Sequence, residues 1–159
     1  MRRASFDEMN CSVAQSLEII GEWWTLLIVR DAFFGVRRFE DFANRLGIAR
    51  NVLTTRLETL VEAGVLERRV YDEARDRADY RLTEKGRALW PVLTAIRQWG
   101  DEWVLGEGNE PLLLRHTDCD HQTTAVMACD HCGEALDPRS VRPMPGPGAD
   151  PEEPLLPSR

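Results

Sequence analysis

A chain of 159 residues that is 43% hydrophobic and 30% charged suits one compact domain with an appendage, and it excludes disorder throughout. No apolar run approaches the roughly 20 residues of a membrane helix, and the start MRRASFDEMN has no signal-peptide core, so a soluble cytoplasmic protein with no membrane partner is expected. The net charge of −7 argues against nucleic acid only until it is divided: residues 1–100 carry 16 Lys+Arg against 15 Asp+Glu, a net of +1, and residues 101–159 carry 4 against 12, a net of −8. The local field at a binding face matters more than the total.

In chain order, Asn10 is the expected N-cap of a first helix in which Val13, Leu17 and Ile20 recur on one face. After a break near Gly21, residues 22–34 read as a second helix that is apolar nearly all round, so it is central or shared with a partner chain. Gly35 fits its stop. Val36, Arg37 and Arg38 read as an extended link. Residues 38–46 form a short helix with Phe39, Phe42, Ala43 and Leu46 on one face. Gly47, Ile48 and Ala49 make a tight turn into a helix over 50–63, whose apolar face is Leu53, Leu57, Leu60 and Val61. Residues 65–71 and 79–83 are strands around a charged turn, and together make a hairpin. Thr83 caps a long helix running to about Val104, with a kink at Pro91. The expected organisation is a domain over 1–106, a Cys/His module over 107–137, and a disordered tail over 138–159, which holds seven of the nine prolines. The fold class is mainly α with a small β-wing (α+β).

Two short helices joined by a tight turn, followed by a hairpin, spell a winged helix-turn-helix. Once the leucines of helix 50–63 dock on the core, Asn51, Val52, Thr55 and Thr59 face outward, with Arg56 on the flank. In a DNA major groove Asn51 suits adenine N6 and N7, Arg50 or Arg56 suits guanine or phosphate, and Val52 and the Thr55 methyl suit a thymine methyl. Arg75 and Arg77, in the wing 71–79, suit the negative potential of a minor groove, and Arg37 and Arg38 suit backbone phosphate. The bland alternative is an ordinary amphipathic helix beside a solvated loop. No Gly-rich phosphate loop and no acid/base pair is present, and all three histidines lie in the tail, so an enzyme is not expected. A winged-helix adaptor that binds protein is the alternative function.

The stretches NCSVAQSLEIIGEWWTLLIVRD, GVRRFEDFANRLGIARNVLTTRLETLVEAGVLERRVY and YRLTEKGRALWPVL resemble the HxlR family of bacterial transcriptional regulators over residues 11–104. The resemblance implies a MarR-like winged-helix fold and a homodimer built through the first helix and the long helix after the wing. It also implies double-stranded DNA as partner, with an inverted-repeat operator and a repressor role. Family members often have a capping Ser and a Pro before the recognition helix. Here Ala49 and Arg50 stand there, which suggests that the helix is completed on binding DNA. Cys11 matches the cysteine that several members use to sense oxidants. A thiol at a helix N-terminus has more thiolate character, and the alternative is a small buried apolar residue. A small-molecule effector is the other regulatory option, with Trp23, Trp24, Trp90, Trp99 and Trp103 lining its pocket or simply forming core.

The module has the spacing of a small zinc ribbon. Cys129-Asp-His-Cys132-Gly133 is a knuckle pattern, and His116-x-x-Cys119 supplies a second pair. The expected set is His116, Cys119, Cys129 and Cys132, with His121 as the alternative to His116, holding one structural zinc per chain. Residues 122–128 are expected to supply one strand of the ribbon. The competing readings are a redox C-x-x-C pair and a metal-free tail.

Overall fold

The computed structural model describes residues 5–150, in two compact units that divide between Trp90 and Pro91. The part of the Pro-rich tail beyond residue 150 lies outside the described residues. The expected boundary at 106/107 falls inside the second unit.

The first unit opens with helix α1, Ser12–Ile20. Its N-cap is Cys11, with an extended backbone, rather than Asn10. The apolar stripe of α1 is not core: Val13 is 68% exposed and Leu17 is also exposed. Helix α2, Thr25–Phe33, starts three residues later than expected, because residues 22–24 form a turn closed by the Thr25 amide on the Glu22 carbonyl. Trp23 therefore swings into solvent, 91% exposed, while Ile28 and Val29 are fully buried. Helix α3, Phe39–Leu46, buries Phe42 and ends at Gly47 (φ 62), a left-handed position that suits glycine. Helix α4, Arg50–Glu62, buries Leu53, Leu57 and Leu60 as its periodicity required.

Strands β1 (Leu66–Asp72) and β2 (Arg77–Leu82) pair antiparallel from Leu66↔Leu82 to Val70↔Ala78, with a bulge before Asp72↔Arg77. The hairpin is longer than expected, and its turn shrinks to four residues with Asp76 at φ 48. The 36–38 link is extended, as its sequence suggested. Arg38 bridges Asp79, and the Tyr80 amide donates to the Arg37 carbonyl at 2.7 Å, so the link lies along β2.

A polar contact missing from the apolar pattern ties α2 to α3. Asp31 is wholly buried, yet its Oδ1 accepts from Arg30 Nε (3.0 Å) and Nη2 (2.8 Å), and its Oδ2 from Arg45 Nε (3.2 Å). A buried carboxylate is tolerable only with such partners. A second contact closes the wing. Thr83 Oγ1 donates to the Gly64 carbonyl at 2.6 Å and accepts from the Gly86 amide at 3.1 Å, capping helix α5, Glu84–Arg87. Gly86 packs so closely that a Cβ there would lie 2.2 Å from the Val65 carbonyl oxygen.

The long helix expected after the wing is broken. After α5 the chain turns at Ala88 and Leu89, and helix α6 runs over Trp90–Gly100. Pro91 thus sits in the first turn of α6, where its missing N–H breaks no hydrogen bond, instead of kinking one continuous helix. The last turn, Asp101–Leu105, is π-helical, and Gly106 ends it. Arg97 pairs with Asp101 at 2.6 Å and donates to the Leu112 carbonyl. The five tryptophans are not the core of this chain: Trp99 and Trp103 are exposed like Trp23, Trp90 is exposed too, and only Trp24 is half-buried. Beyond α6 a two-stranded ribbon pairs β3 (Leu114–His116) with β4 (His121–Thr123). The ribbon strand thus starts one residue ahead of the expected 122–128 segment and ends at Thr123. Gln98 and Ala125 exchange two hydrogen bonds that fasten the chain just past β4 to α6. Residues 138–150 form no helix or strand.

Two variants test these contacts by urea unfolding. Asp31→Ala should cost about 1.5–3 kcal/mol, the range for hydrogen bonds to a charged group. Gly86→Ala should cost roughly 1–3 kcal/mol, because backbone rather than a flexible side chain must move.

Candidate nucleic-acid interface

Helices α3 and α4 and the wing enclose an open concavity of about 1050 Å³, whose lining includes Arg38, Arg50, Asn51, Thr54, Arg75 and Arg77. Five of these six were expected at the interface from sequence; Thr54 was not.

On α4 the exposed Asn51 side chain projects at the first turn, and Val52 and Thr59 are half-buried beside it. The hydroxyls of Thr54, Thr55 and Thr59 donate to the carbonyls of Arg50 (3.0 Å), Asn51 (3.1 Å) and Thr55 (2.9 Å), four residues back in each case. The helix is regular from Arg50 onward without DNA, so the expectation that binding completes it does not hold. The reason is Glu40 on α3. Its carboxylate takes both Arg50 Nη atoms at 2.6 Å, and the guanidinium lies over the Phe39 ring at 4.9 Å. Arg50's fork holds the Glu40 carboxyl below the usual carboxylate range, and Glu40 raises the guanidinium in turn. A cation that would oppose the helix dipole is thereby neutralised. It is held until the pH falls through Glu40's lowered value. Arg56, expected to take guanine or a phosphate, stands on the flank of α4. Its side chain is 20% exposed and lies 3.9 Å from Glu22, so it braces α4 against the chain before α2.

In the wing, Arg68 clamps the tip through Asp76, whose carboxylate raises the guanidinium. Arg38 lies over the Tyr71 ring at 5.6 Å. The remaining arginines divide sharply. Arg30, Arg45, Arg50, Arg56, Arg68, Arg69 and Arg81 are all in ion pairs. Among the described residues of this unit, Arg37, Arg75 and Arg77 have exposed guanidinium groups with no ion pair, hydrogen bond or ring contact. These three were expected to contact DNA. Glu40, Arg68 and Tyr71, which position the surface, were missed; their partners lie too far away in sequence to leave a periodic signal.

Cys11 is half-buried at the N-cap of α1. In the second unit, His116 Nδ1 lies 3.2 Å from Cys119 Sγ, while the ring of His121 meets the Cys119 carbonyl. Backbone amides of Cys132 and His131 donate to the Cys129 sulfur and hold that thiol below its ordinary value. Gly133, at φ 76, makes the turn, as its place in the motif required. Among the described residues, no three His, Cys, Asp or Glu side chains gather as a metal cluster, so the four expected ligands stand as two pairs.

Similarity to known proteins decides the family. The HxlR-like helix-turn-helix profile matches residues 19–107. The chain belongs to the HxlR-like helix-turn-helix family. Rv3095 of Mycobacterium tuberculosis, an uncharacterised HTH-type transcriptional regulator, is 47% identical over 137 residues, covering 86% of this chain and 87% of that one. The crystal structure of PA1607, a candidate transcription factor, superposes with a TM-score of 0.78 at 38% identity, covering 89% of this chain and 99% of that one. The redox regulator HypR in its reduced form superposes with a TM-score of 0.53 at 31% identity, covering 57% and 90% of the two chains. Family and fold together make this chain a helix-turn-helix transcriptional regulator. Among the described residues no helix is long and apolar enough to cross a membrane.

The split between paired and free arginines can be measured without DNA. Arg75→Ala and Arg77→Ala should leave the thermal midpoint within the effect of about 0.5 kcal/mol expected of unpartnered surface positions. Arg56→Ala and Arg45→Ala should both lower it.

Proposed function

We propose that this HxlR-family chain acts in the cytoplasm as a homodimeric repressor that reads an inverted-repeat operator with α4 and steadies it with the wing. The observation that carries this reading is the distribution of free charge. The unpaired guanidinium groups of Arg37, Arg75 and Arg77 stand on the link and the wing, and Arg75 and Arg77 line one concavity with the exposed face of α4. Asn51, on the first turn, is the residue for adenine; the N-terminal half of such a helix meets base edges. Arg75 and Arg77 supply the groove and phosphate contacts. Arg50 reaches DNA only by exchanging Glu40 for a phosphate or a guanine edge.

The dimer is supported by apolar surface that one chain leaves uncovered. Val13 and Leu17 of α1 are exposed, as are Val92, Ile96 and Trp99 of α6 and Trp103 beyond it. Faces of this kind call for a partner, and a second copy supplies the two-fold symmetry an inverted repeat requires. Cys11 is the proposed oxidant sensor. HypR is a redox regulator, and here Cys11 is the N-cap residue of α1, its thiol making no capping hydrogen bond, so oxidation would add a bulky polar group at the start of the helix that carries part of the uncovered face.

The test is fluorescence anisotropy on DNA flanking the protein's own gene, with scrambled competitor and a salt series. Asn51→Ala should lose about 1–3 kcal/mol of discrimination at one base position in each half-site. Arg75→Ala or Arg77→Ala should weaken all sequences alike and reduce the salt slope by about one. Equal binding of operator and scrambled DNA by a folded dimer would sink the operator reading. Ile96→Glu should convert the dimer to monomer in sedimentation. Cys11→Ser should make operator binding insensitive to peroxide; unchanged release in that variant would eliminate the sensor.

A further inference from the structure

The C-terminal extension presents a problem of stability. Among residues 107–150 none is buried, yet the segment adopts a paired ribbon and a second, tighter turn. A segment with no core needs a staple. The turn is built around two cysteines. The Leu136 amide donates to the Met127 carbonyl and the Cys129 amide to the Glu134 carbonyl, both at 2.8 Å, and Ala128 bridges Ala135. Inside this clasp the Gly133 amide returns to the Cys129 carbonyl at 2.9 Å. Such a loop sets Cys129 and Cys132 on one tight turn, the backbone arrangement of a two-thiolate knuckle. The ribbon holds a second chelating pair, His116 Nδ1 and Cys119 Sγ, 3.2 Å apart across a turn with Asp120 at φ 60.

We propose that this extension is a structural metal site in which Cys129 and Cys132 capture one zinc-class cation and His116 and Cys119 complete its coordination. Soft sulfur donors with one imidazole select zinc over calcium or magnesium. Four protein ligands leave no position for water, so the ion serves folding rather than chemistry. The surroundings favour a cation: residues 107–137 carry one arginine against seven Asp and Glu. The same acidity disfavours anionic thiol reagents such as glutathione disulfide, which weighs against a redox pair. His121 is withdrawn from the set because its ring is engaged by the Cys119 carbonyl, and His131, inside the loop, is exposed. The two pairs stand apart in the chain without metal. Closing them on one ion draws on the coordination free energy, which for small metal modules is also the folding free energy.

The full-length protein, reduced, loaded with zinc and desalted, should retain about one zinc per chain by plasma mass spectrometry, the number expected of a single closed site. Cobalt(II) substitution should give the intense visible bands of a tetrahedral site and sulfur-to-cobalt charge transfer. The Cys129→Ser, Cys132→Ser double variant should lose both, and Cys119→Ser should lose charge-transfer intensity. His131→Ala should bind as the parent does. DNA binding by the first unit reports that each variant remains folded. Reduced protein that retains no metal overturns the proposal. So does a double variant that still retains it, or a cobalt spectrum indifferent to Cys119 and His116. Loss of metal with a rapidly formed Cys129–Cys132 disulfide under diamide would replace the metal site by a redox pair.

Discussion

The DNA-reading unit depends on a carboxylate with no access to water. Asp31 sits on the same helix as the fully buried Ile28 and Val29, and its negative charge is tolerated there because Arg30 and Arg45 both reach it. The apolar contacts between helices are non-directional and would accept small rotations of α3 about its axis. A guanidinium set against a carboxylate accepts fewer. Arg30 lies on the same helix as Asp31, so the tie across to α3 is the single Arg45 contact at 3.2 Å, and α3 in turn carries Glu40, which pairs with Arg50 on α4. A chain of charged contacts thus runs from Asp31 to the reading helix, laid over the leucine core.

The arginines show how one residue type serves two purposes. Where a guanidinium faces a carboxylate it is committed to architecture: Arg45 joins α3 to α2, Arg50 joins α4 to α3, Arg56 braces α4 and Arg68 closes the wing. Where a guanidinium makes no ion pair it remains available to a phosphate, and those positions are the link and the wing, where Asp72 accepts from the Arg75 amide and faces Arg77 without pairing with either guanidinium. The nearly neutral first hundred residues thus present free guanidinium groups through pairing, not through composition, on a concavity that Asp41, Glu58 and Glu62 also line. The acidity of the remainder, which dominates the total, lies on the extension and serves a different purpose there.

The extension and the uncovered apolar faces share one physical theme. In each, a structure of the right shape lacks the burial that would make it stable alone. For α1 and α6 the proposed cover is a protein surface, since the exposed groups are Val, Leu, Ile and Trp. For the ribbon and the cysteine loop the proposed cover is an ion, since the groups in place are sulfur and imidazole. The chemistry of the side chains distinguishes the two cases where exposure alone would not.

The order of helices, the turn at Gly47, the wing and the leucine face of α4 were legible in the sequence, because each is a pattern within one element or between neighbours. Helical periodicity placed Leu53, Leu57 and Leu60 in the core, and the motif spacing placed Gly133 at its turn. What only the tertiary structure decided are pairings between residues distant in the chain. Arg56 looked free until Glu22 came beside it. Arg50 looked unfavourable at its helix start until Glu40 neutralised it. Asp31 gave no sign, in an apolar stretch, that it would be buried with two arginines. The long helix after the wing was read as continuous because its apolar repeat crosses Pro91 without interruption. The chain instead breaks two residues earlier, which places the proline where its missing N–H breaks no hydrogen bond. A local pattern states what one element prefers, whereas charge pairing and the position of a break depend on what the rest of the fold brings within a few ångströms.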